Sequence, residues 1–468
     1  MNREINLVKN TIIYAIGNIS SKLLSYFMIL LYSYYISPND LGYYDVIMST
    51  IFLIVPIIMF EIHEGVYRLM IEKGIYSIEV IISSSLKFLL MAIIIYELLL
   101  IIILNFIDIE FINVIAYYTF TYMIYVFMTT VIRGSGNNKF YAIIGVINSV
   151  FILLFEFIGI VVFKLGIVAL FMGMGIANTF CILLILVKNK TIIYSMKCRS
   201  KFIVLKEILQ YSMPIIPTTI CWWIVDACDR YIILFNLGKE YNGIYAMAVK
   251  FPTLITSLTS IFYLAWQESA IKEYNSSSRD IFFTKVYKKY NRLLFSICIC
   301  CIPGTKIIVE RFLSDDYHRA WVYTGPLFVA TAYMALSSFL GLGYQISKET
   351  KRSTLTSVIA AVINSLLNIL FIKSIGLYAA SLSTLIAYFV LFIIRIWDTK
   401  KYFSIQYKLE DTILLPVMSF IVIVLTFYFS SCFAIFLLIL ICILVAIYLN
   451  KNIVMIFFIK VKNILFYN

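Results

Sequence analysis

Residues 11–35 read TIIYAIGNISSKLLSYFMILLYSYY, an almost unbroken apolar run. It is long and apolar enough to cross the roughly 30 Å hydrocarbon layer of a bilayer, which needs about 20 such residues. Arg3 and Lys9 precede it as they would a secretion signal, but no small-residue cleavage pattern follows, so it reads as a retained first helix. The whole chain has the same character. Of its 468 residues 62% are hydrophobic and 13% charged, about half the charged share of a soluble domain. No water-soluble chain of this length could hide so much apolar surface, and an all-α polytopic membrane protein follows.

Working outward, apolar runs between polar punctuation predict about fourteen spans, near 11–35, 43–67, 80–106, 111–132, 140–163, 166–187, 208–237, 242–268, 287–309, 320–346, 353–372, 377–398, 412–430 and 433–450. Short cytoplasmic loops retain Lys and Arg. With the N-terminus inside, most of the 38 basic residues fall on that face, among them Lys188, Lys190, Lys197, Arg199, Lys201 and Lys206 in one loop. Both termini are therefore expected in the cytoplasm. Basic loops facing anionic lipid account for the net charge of +13 without any nucleic acid. The tail after Ile453 is expected to lie flat in the inner interface. Nine cysteines sit mostly within apolar runs, and His63 and His318 are the only histidines, so neither a disulfide framework nor a metal site is expected.

Short patterns repeat across the basic loop. Gly42-Tyr43-Tyr44 opens the second span and Gly243-Ile244-Tyr245 the eighth; Val146-Ile147-Asn148-Ser149 returns as Val362-Ile363-Asn364-Ser365. They suggest a duplicated six-helix unit, the copies related by a pseudo-twofold axis along the membrane normal and enclosing a cavity. The expected domains are residues 1–190, a cytoplasmic linker 191–207, a second bundle 208–400, and two added, peripheral helices with a tail over 401–468.

An ionised side chain at mid-membrane costs about 2.5–3.5 kcal/mol on insertion scales and usually faces protein or water. Asn18 and Lys22 share a face of the first helix, with Lys22 near the midplane. Glu61, Glu64 and Arg68 fall near the inner end of the second, as a gate or an interfacial ion-pair cluster. Glu156 lies in the fifth. The seventh is richest: Trp222, Asp226 and Asp229 share a face, Arg230 is one turn beyond Asp226, and Pro214 and Pro217 loosen its inner end. That set reads either as a moving cavity wall or as an Asp–Arg pair locking two helices. Lys250 stands in the eighth. Lys22, Arg230 and Lys250 would suit a phosphate or diphosphate, with Asn18 and Trp222 beside them; Asp226, Asp229, Glu61, Glu64, Arg68 and Glu156 are the candidates for ion coupling or gating.

In this order the landmarks resemble those of the bacterial polysaccharide biosynthesis flippases, the O-antigen and capsule repeat-unit translocases of the multidrug/oligosaccharidyl-lipid/polysaccharide superfamily. The resemblance runs from Lys9-Asn10-Thr11 through Arg133-Gly134 and Tyr211-Ser212-Met213-Pro214-Ile215-Ile216-Pro217 to Asp229-Arg230-Tyr231, Lys250-x-Pro252, and Asn364 with Asn368. It implies two six-helix bundles plus two helices, alternating access, and no cofactor. It also implies an undecaprenyl-diphosphate-linked oligosaccharide as substrate, moved across the bacterial cytoplasmic membrane for surface polysaccharide assembly, with a polymerase and chain-length regulator as partners. A charged-cavity role carries over to Lys22, Asp229, Arg230 and Lys250.

Three other readings compete. An ion-coupled drug or metabolite extruder would want carboxylates in an apolar cavity, whereas intramembrane Lys and Arg favour an anion. A flippase for the peptidoglycan lipid precursor or a teichoic-type polymer would take the same diphosphate lipid. A membrane glycosyltransferase or polymerase would need a longer aqueous segment than this chain has, and offers only Asp315-Asp316-Tyr317-His318 as an acidic pair.

Overall fold

A computed structural model of the chain describes residues 28–72, 76–106, 109–347, 349–408 and 410–451. They are helical nearly throughout, with no strand among them. The helices are α1 (28–35), α2 (Pro38–Ile58), α3 (Ile62–Ile71), α4 (Ile78–Leu104), α5 (Ile112–Gly134), α6 (Asn138–Phe157), α7 (Ile167–Lys188), α8 (Lys190–Lys197) and α9 (Phe202–Ser212). There follow α10 (Ile216–Leu237), α11 (Lys239–Lys250), α12 (Thr253–Glu273), α13 (Arg279–Phe312), α14 (Trp321–Ile346), α15 (Thr350–Ile375), α16 (Leu377–Asp398), α17 (Leu415–Tyr428) and α18 (Cys432–Leu449).

Eleven of these are long and apolar enough to cross a membrane, or up to twelve if α11 and the first part of α12, bent by 43° at Phe251–Pro252, form one span. The described residues do not establish the expected fourteen. The first expected span lies mostly outside them, and α10, although 22 residues long, carries Asp226, Asp229 and Arg230 within its apolar run. The tail after Ile453 lies outside them as well.

Three expected spans are interrupted, each for a local reason. The run 43–67 is two helices, because Phe60 and Glu61 take left-handed φ values of 50° and 51°. The run 208–237 is α9, a 3-10 turn and α10, joined through Pro214 and Pro217, whose missing donors loosen the ladder. The run 242–268 bends at Pro252, as noted. The basic stretch after Lys188 contains a short helix, α8, where only a loop was expected.

The chain forms two compact units, one of residues 1–36 and 43–227, the other of 37–42 and 228–468. In the first, a core of apolar side chains from α2 to α9 includes Met59, Ile62, Val66, Phe127 and Ile208. In the second, aromatic rings interlock: Trp266 lies flat on Phe339, centroids 4.2 Å apart, and Phe262 on Tyr290 at 3.8 Å. The glycines of the repeated opening pattern meet there. A Cβ on Gly42 would lie 1.8 Å from Lys239 O, and one on Gly243 would lie 1.8 Å from Pro38 O. Only glycine permits that approach.

The two added helices pack on α13 and α14 and are tied down at both ends of α17. At one end Asp411 receives Arg292 Nε at 2.5 Å, with Lys288 at 3.5 Å. At the other, Lys306 Nζ donates to Thr426 O (2.9 Å) and Phe429 O (2.8 Å), the first of them a carbonyl in the last turn of α17. Lys306 is a buried residue of α13.

Candidate functional site

In the second unit the chemistry gathers around Asp229. α10 turns its carboxylate inward, where α11, α15 and α16 each bring a polar group. Oδ1 accepts from Asn368 Nδ2 at 2.7 Å and Asn364 Nδ2 at 3.1 Å; Oδ2 faces Thr384 Oγ1 at 3.1 Å and Tyr245 OH at 3.4 Å. Asp229, Asn364, Asn368 and Tyr245 are all buried. Asn364 and Asn368 reach one carboxylate because residues four apart share a helix face. The four donors offset part of the cost of burying this carboxyl group.

The donor set has a second capability. Asn368 Oδ1 is buried without a hydrogen-bond partner, and Asn364 Oδ1, Thr384 Oγ1 and both Asp229 oxygens lie within the same cluster. Oxygen donors grouped in this way are the ligands that hard cations take.

Arg230 is close enough to act electrostatically on Asp229 and Tyr245. The donors described around the Asp229 carboxylate are neutral. Lys250 ends α11, just before the bend. Lys22 and Asn18 lie outside the described residues, as do the side chains of Trp222 and Asp226; of the expected cations, Arg230 stands on α10 and Lys250 at the end of α11. The neighbouring Trp223 anchors α10 in the first unit, its Nε1 donating to Ser49 O at 2.7 Å.

Two further carboxylates are buried in the first unit. Glu156 accepts from Tyr32 OH at 2.6 Å and lies against Gly173, where a Cβ would come within 2.7 Å of its Cγ. Glu61 sits at the break between α2 and α3. Its Oε1 accepts from Thr219 Oγ1 at 2.6 Å and its Oε2 lies 3.4 Å from His63 Nε2, which is 3.7 Å from Glu64. Glu61 thus precedes α3 in left-handed backbone, and Arg68 turns to Glu72 at 2.7 Å and to the ring of Tyr211 at 4.2 Å.

Some groups escaped the sequence reading. Arg395, buried in α16, donates to Ser337 O (2.8 Å), Ser357 Oγ (3.0 Å) and Thr356 Oγ1 (3.3 Å), bracing α14, α15 and α16 over Gly341. Thr384 and Tyr245 escaped it too, because hydroxyls on apolar helices leave no pattern; the signal available was the pair of asparagines four apart. Asp315, in the outer acidic pair, is 98% exposed and faces His318 at 3.4 Å, as an ordinary solvated turn.

The sequence profile of a family described as polysaccharide biosynthesis protein matches residues 7–266. No curated protein matches the chain in sequence. Solved structures resemble it in fold. One described as lipid II flippase MurJ, inward closed conformation, superposes with a TM-score of 0.71 at 18% identity, over 96% of this chain and 99% of that one. An inward-facing multidrug resistance MATE family transporter of the MOP superfamily gives 0.67 at 14% identity, over 83% and 97%. An outward-facing conformation of such a transporter gives 0.55 at 14%, over 84% and 94%.

Proposed function

This chain belongs to the polysaccharide biosynthesis protein family, and from that premise we propose that it is a flippase for undecaprenyl-diphosphate-linked oligosaccharide repeat units. It works by alternating access in the bacterial cytoplasmic membrane, with both termini in the cytoplasm, and serves O-antigen, capsule or exopolysaccharide assembly beside a polymerase and chain-length regulator. Lys22, Arg230 and Lys250, with Asn18 and Trp222, meet the diphosphate. The observation that carries the reading is the buried Asp229 cluster: a carboxylate held by four donors inside an apolar helical unit is a place to bind a coupling ion. An alkali cation on the oxygens of Asp229, Asn364, Asn368 and Thr384 suits those donors, and the partnerless Asn368 Oδ1 supports it. The domain division at the basic stretch, 191–207, belongs to the same proposal.

The test is lipid-linked oligosaccharide accumulation in cells lacking the gene, complemented with wild type, Arg230→Ala, Lys250→Ala or Asp229→Asn at matched expression. The intermediate is expected to build up on the cytoplasmic face and to be cleared by wild type alone; no accumulation, or clearance by all three variants, overturns the assignment. A second reading, a peptidoglycan lipid precursor flippase, is favoured by the fold shared with the lipid II flippase structure. Growth arrest with accumulated lipid II, rather than loss of surface polysaccharide, would select it.

A further inference from the structure

A cleft in the first unit, built around the Arg68–Glu72 pair, has the chemistry of a sugar site. α3 and α9 nearly touch at Gly65, where a Cβ would fall 2.6 Å from Ile208 O. Beside this contact a cavity of about 320 Å³ opens, walled by Arg68, Glu72, Glu207, Gln210 and Tyr211. That volume is at the lower end of small-ligand pockets, about 300–1,000 Å³, and admits a group of saccharide size.

The walls are set before any ligand arrives. Arg68 Nε donates to Glu72 Oε1 at 2.7 Å while its guanidinium lies 4.2 Å over the Tyr211 ring, and Tyr76 OH donates to Glu207 Oε1 at 2.8 Å. Holding planar polar groups in place lowers the ordering cost of binding. The charge balance chooses the ligand class. Two carboxylates, Glu72 and Glu207, face one guanidinium, so a phosphate would meet net repulsion. A neutral polyhydroxylated ring would instead find acceptors in both carboxylates, a donor and acceptor in Gln210, donors in Arg68, and an aromatic wall in Tyr211. The Arg68 and Glu72 side chains are about half exposed, at 49% and 45%, so the cleft opens to water.

We propose that this cleft binds the neutral sugar portion of the lipid-linked substrate, leaving the diphosphate to the cationic residues elsewhere. The inference rests on the flippase reading for its physiological ligand, but its test does not. The full chain in lipid nanodiscs is examined by saturation-transfer NMR with a panel of free neutral and N-acetylated monosaccharides, and with inorganic phosphate by ³¹P linewidth. At least one sugar is expected to bind, with affinity reduced about tenfold or more in Glu207→Ala and in Tyr211→Ala, as loss of a charge-assisted contact implies. Both positions are solvent-reachable, and circular dichroism checks that the variants remain folded. No sugar binding, sugar binding indifferent to both variants, or phosphate competing for the cleft overturns the proposal. Translocation of a fluorescent lipid-linked oligosaccharide by the same preparation separates the two ideas. Transport without sugar binding refutes the cleft; sugar binding at the cleft without transport refutes the flippase reading and leaves the cleft standing.

Discussion

Replacing Asn368 with leucine keeps the side-chain size and deletes one donor to Asp229. That donor lies 2.7 Å from Oδ1, and its residue is fully buried. In soluble proteins a hydrogen bond to a charged group contributes about 1.5–3 kcal/mol, whereas interhelical hydrogen bonds in a membrane protein average about 0.6 and reach about 1.7 kcal/mol. A short bond to an ionised acceptor belongs near the upper membrane figure, so Asn368→Leu costs about 1.5 kcal/mol. For a cooperative unit of 150–250 residues, 1 kcal/mol moves Tm by about 2–4 °C. The melting temperature of the purified protein in detergent is therefore expected to fall by ~3–6 °C. Leu370→Ala, on the outward face of the same helix, serves as the control. In an Asp229→Leu background the same substitution should cost much less, because the acceptor is gone. An unchanged Tm for Asn368→Leu, or an equal fall in both backgrounds, would refute the reasoning that this amide stabilises the buried carboxylate.

Other outcomes follow from the same geometry. Gly42→Ala places a methyl group 1.8 Å from Lys239 O, which only a backbone shift can relieve, so folded protein recovered by size-exclusion chromatography should drop sharply; recovery at wild-type level contradicts the close crossing. Lys306→Met removes two bonds to carbonyls but also an expensive buried charge, so its net cost is held to about 1–3 kcal/mol, read as faster amide hydrogen exchange over residues 424–429. Glu61→Ala frees Thr219 and should raise exchange in the first turn of α10, an effect Glu64→Ala lacks. The Tyr402 hydroxyl first, and then Lys401, whose Nζ lies 3.1 Å from Oε2, hold the Glu349 carboxyl below the usual glutamate range. A carboxyl depressed in the folded state adds stability above its unfolded pKa, about 4.3, and loses it as pH falls through the folded value. The Tm difference between wild type and Glu349→Gln should thus be present at neutral pH and close in acid below that range.

The helices were legible because apolar runs declare themselves. The stretch 377–398 was read to the residue, and most others to within a few positions. A break was legible only where Pro214 and Pro217 write it; the bend at Pro252 was not read. The break at Phe60 and Glu61 has no such residue, because packing holds two ordinary side chains in backbone they rarely adopt, at about 1–3 kcal/mol each. Gly166 and Gly376, with φ of 56° and 60°, open α7 and α16 with the same turn, a repeat that the four-residue matches missed.

At the site, sequence could point to Asp229 because a charge in an apolar run is conspicuous. It could not show which partners fold onto it, since Thr384 lies 155 residues further along and Tyr245, 16 residues away, looks like any interior hydroxyl. Counting charges also overstated the unity of the carboxylates. Glu61 is tied to Thr219 and Glu156 to Tyr32, each by a local bond that a list of acids does not reveal.

The central claim is lipid-linked oligosaccharide translocation driven through Asp229. Its most direct test is transbilayer movement of a fluorescent undecaprenyl-diphosphate oligosaccharide in proteoliposomes, with wild type and Asp229→Asn compared across Na⁺ and proton gradients. Wild type is expected to move the lipid faster with one of these gradients than without, and Asp229→Asn to abolish the gradient dependence while the protein remains folded. Movement by wild type no faster than in empty vesicles, or an Asp229→Asn protein that responds to the gradient as wild type does, would contradict it.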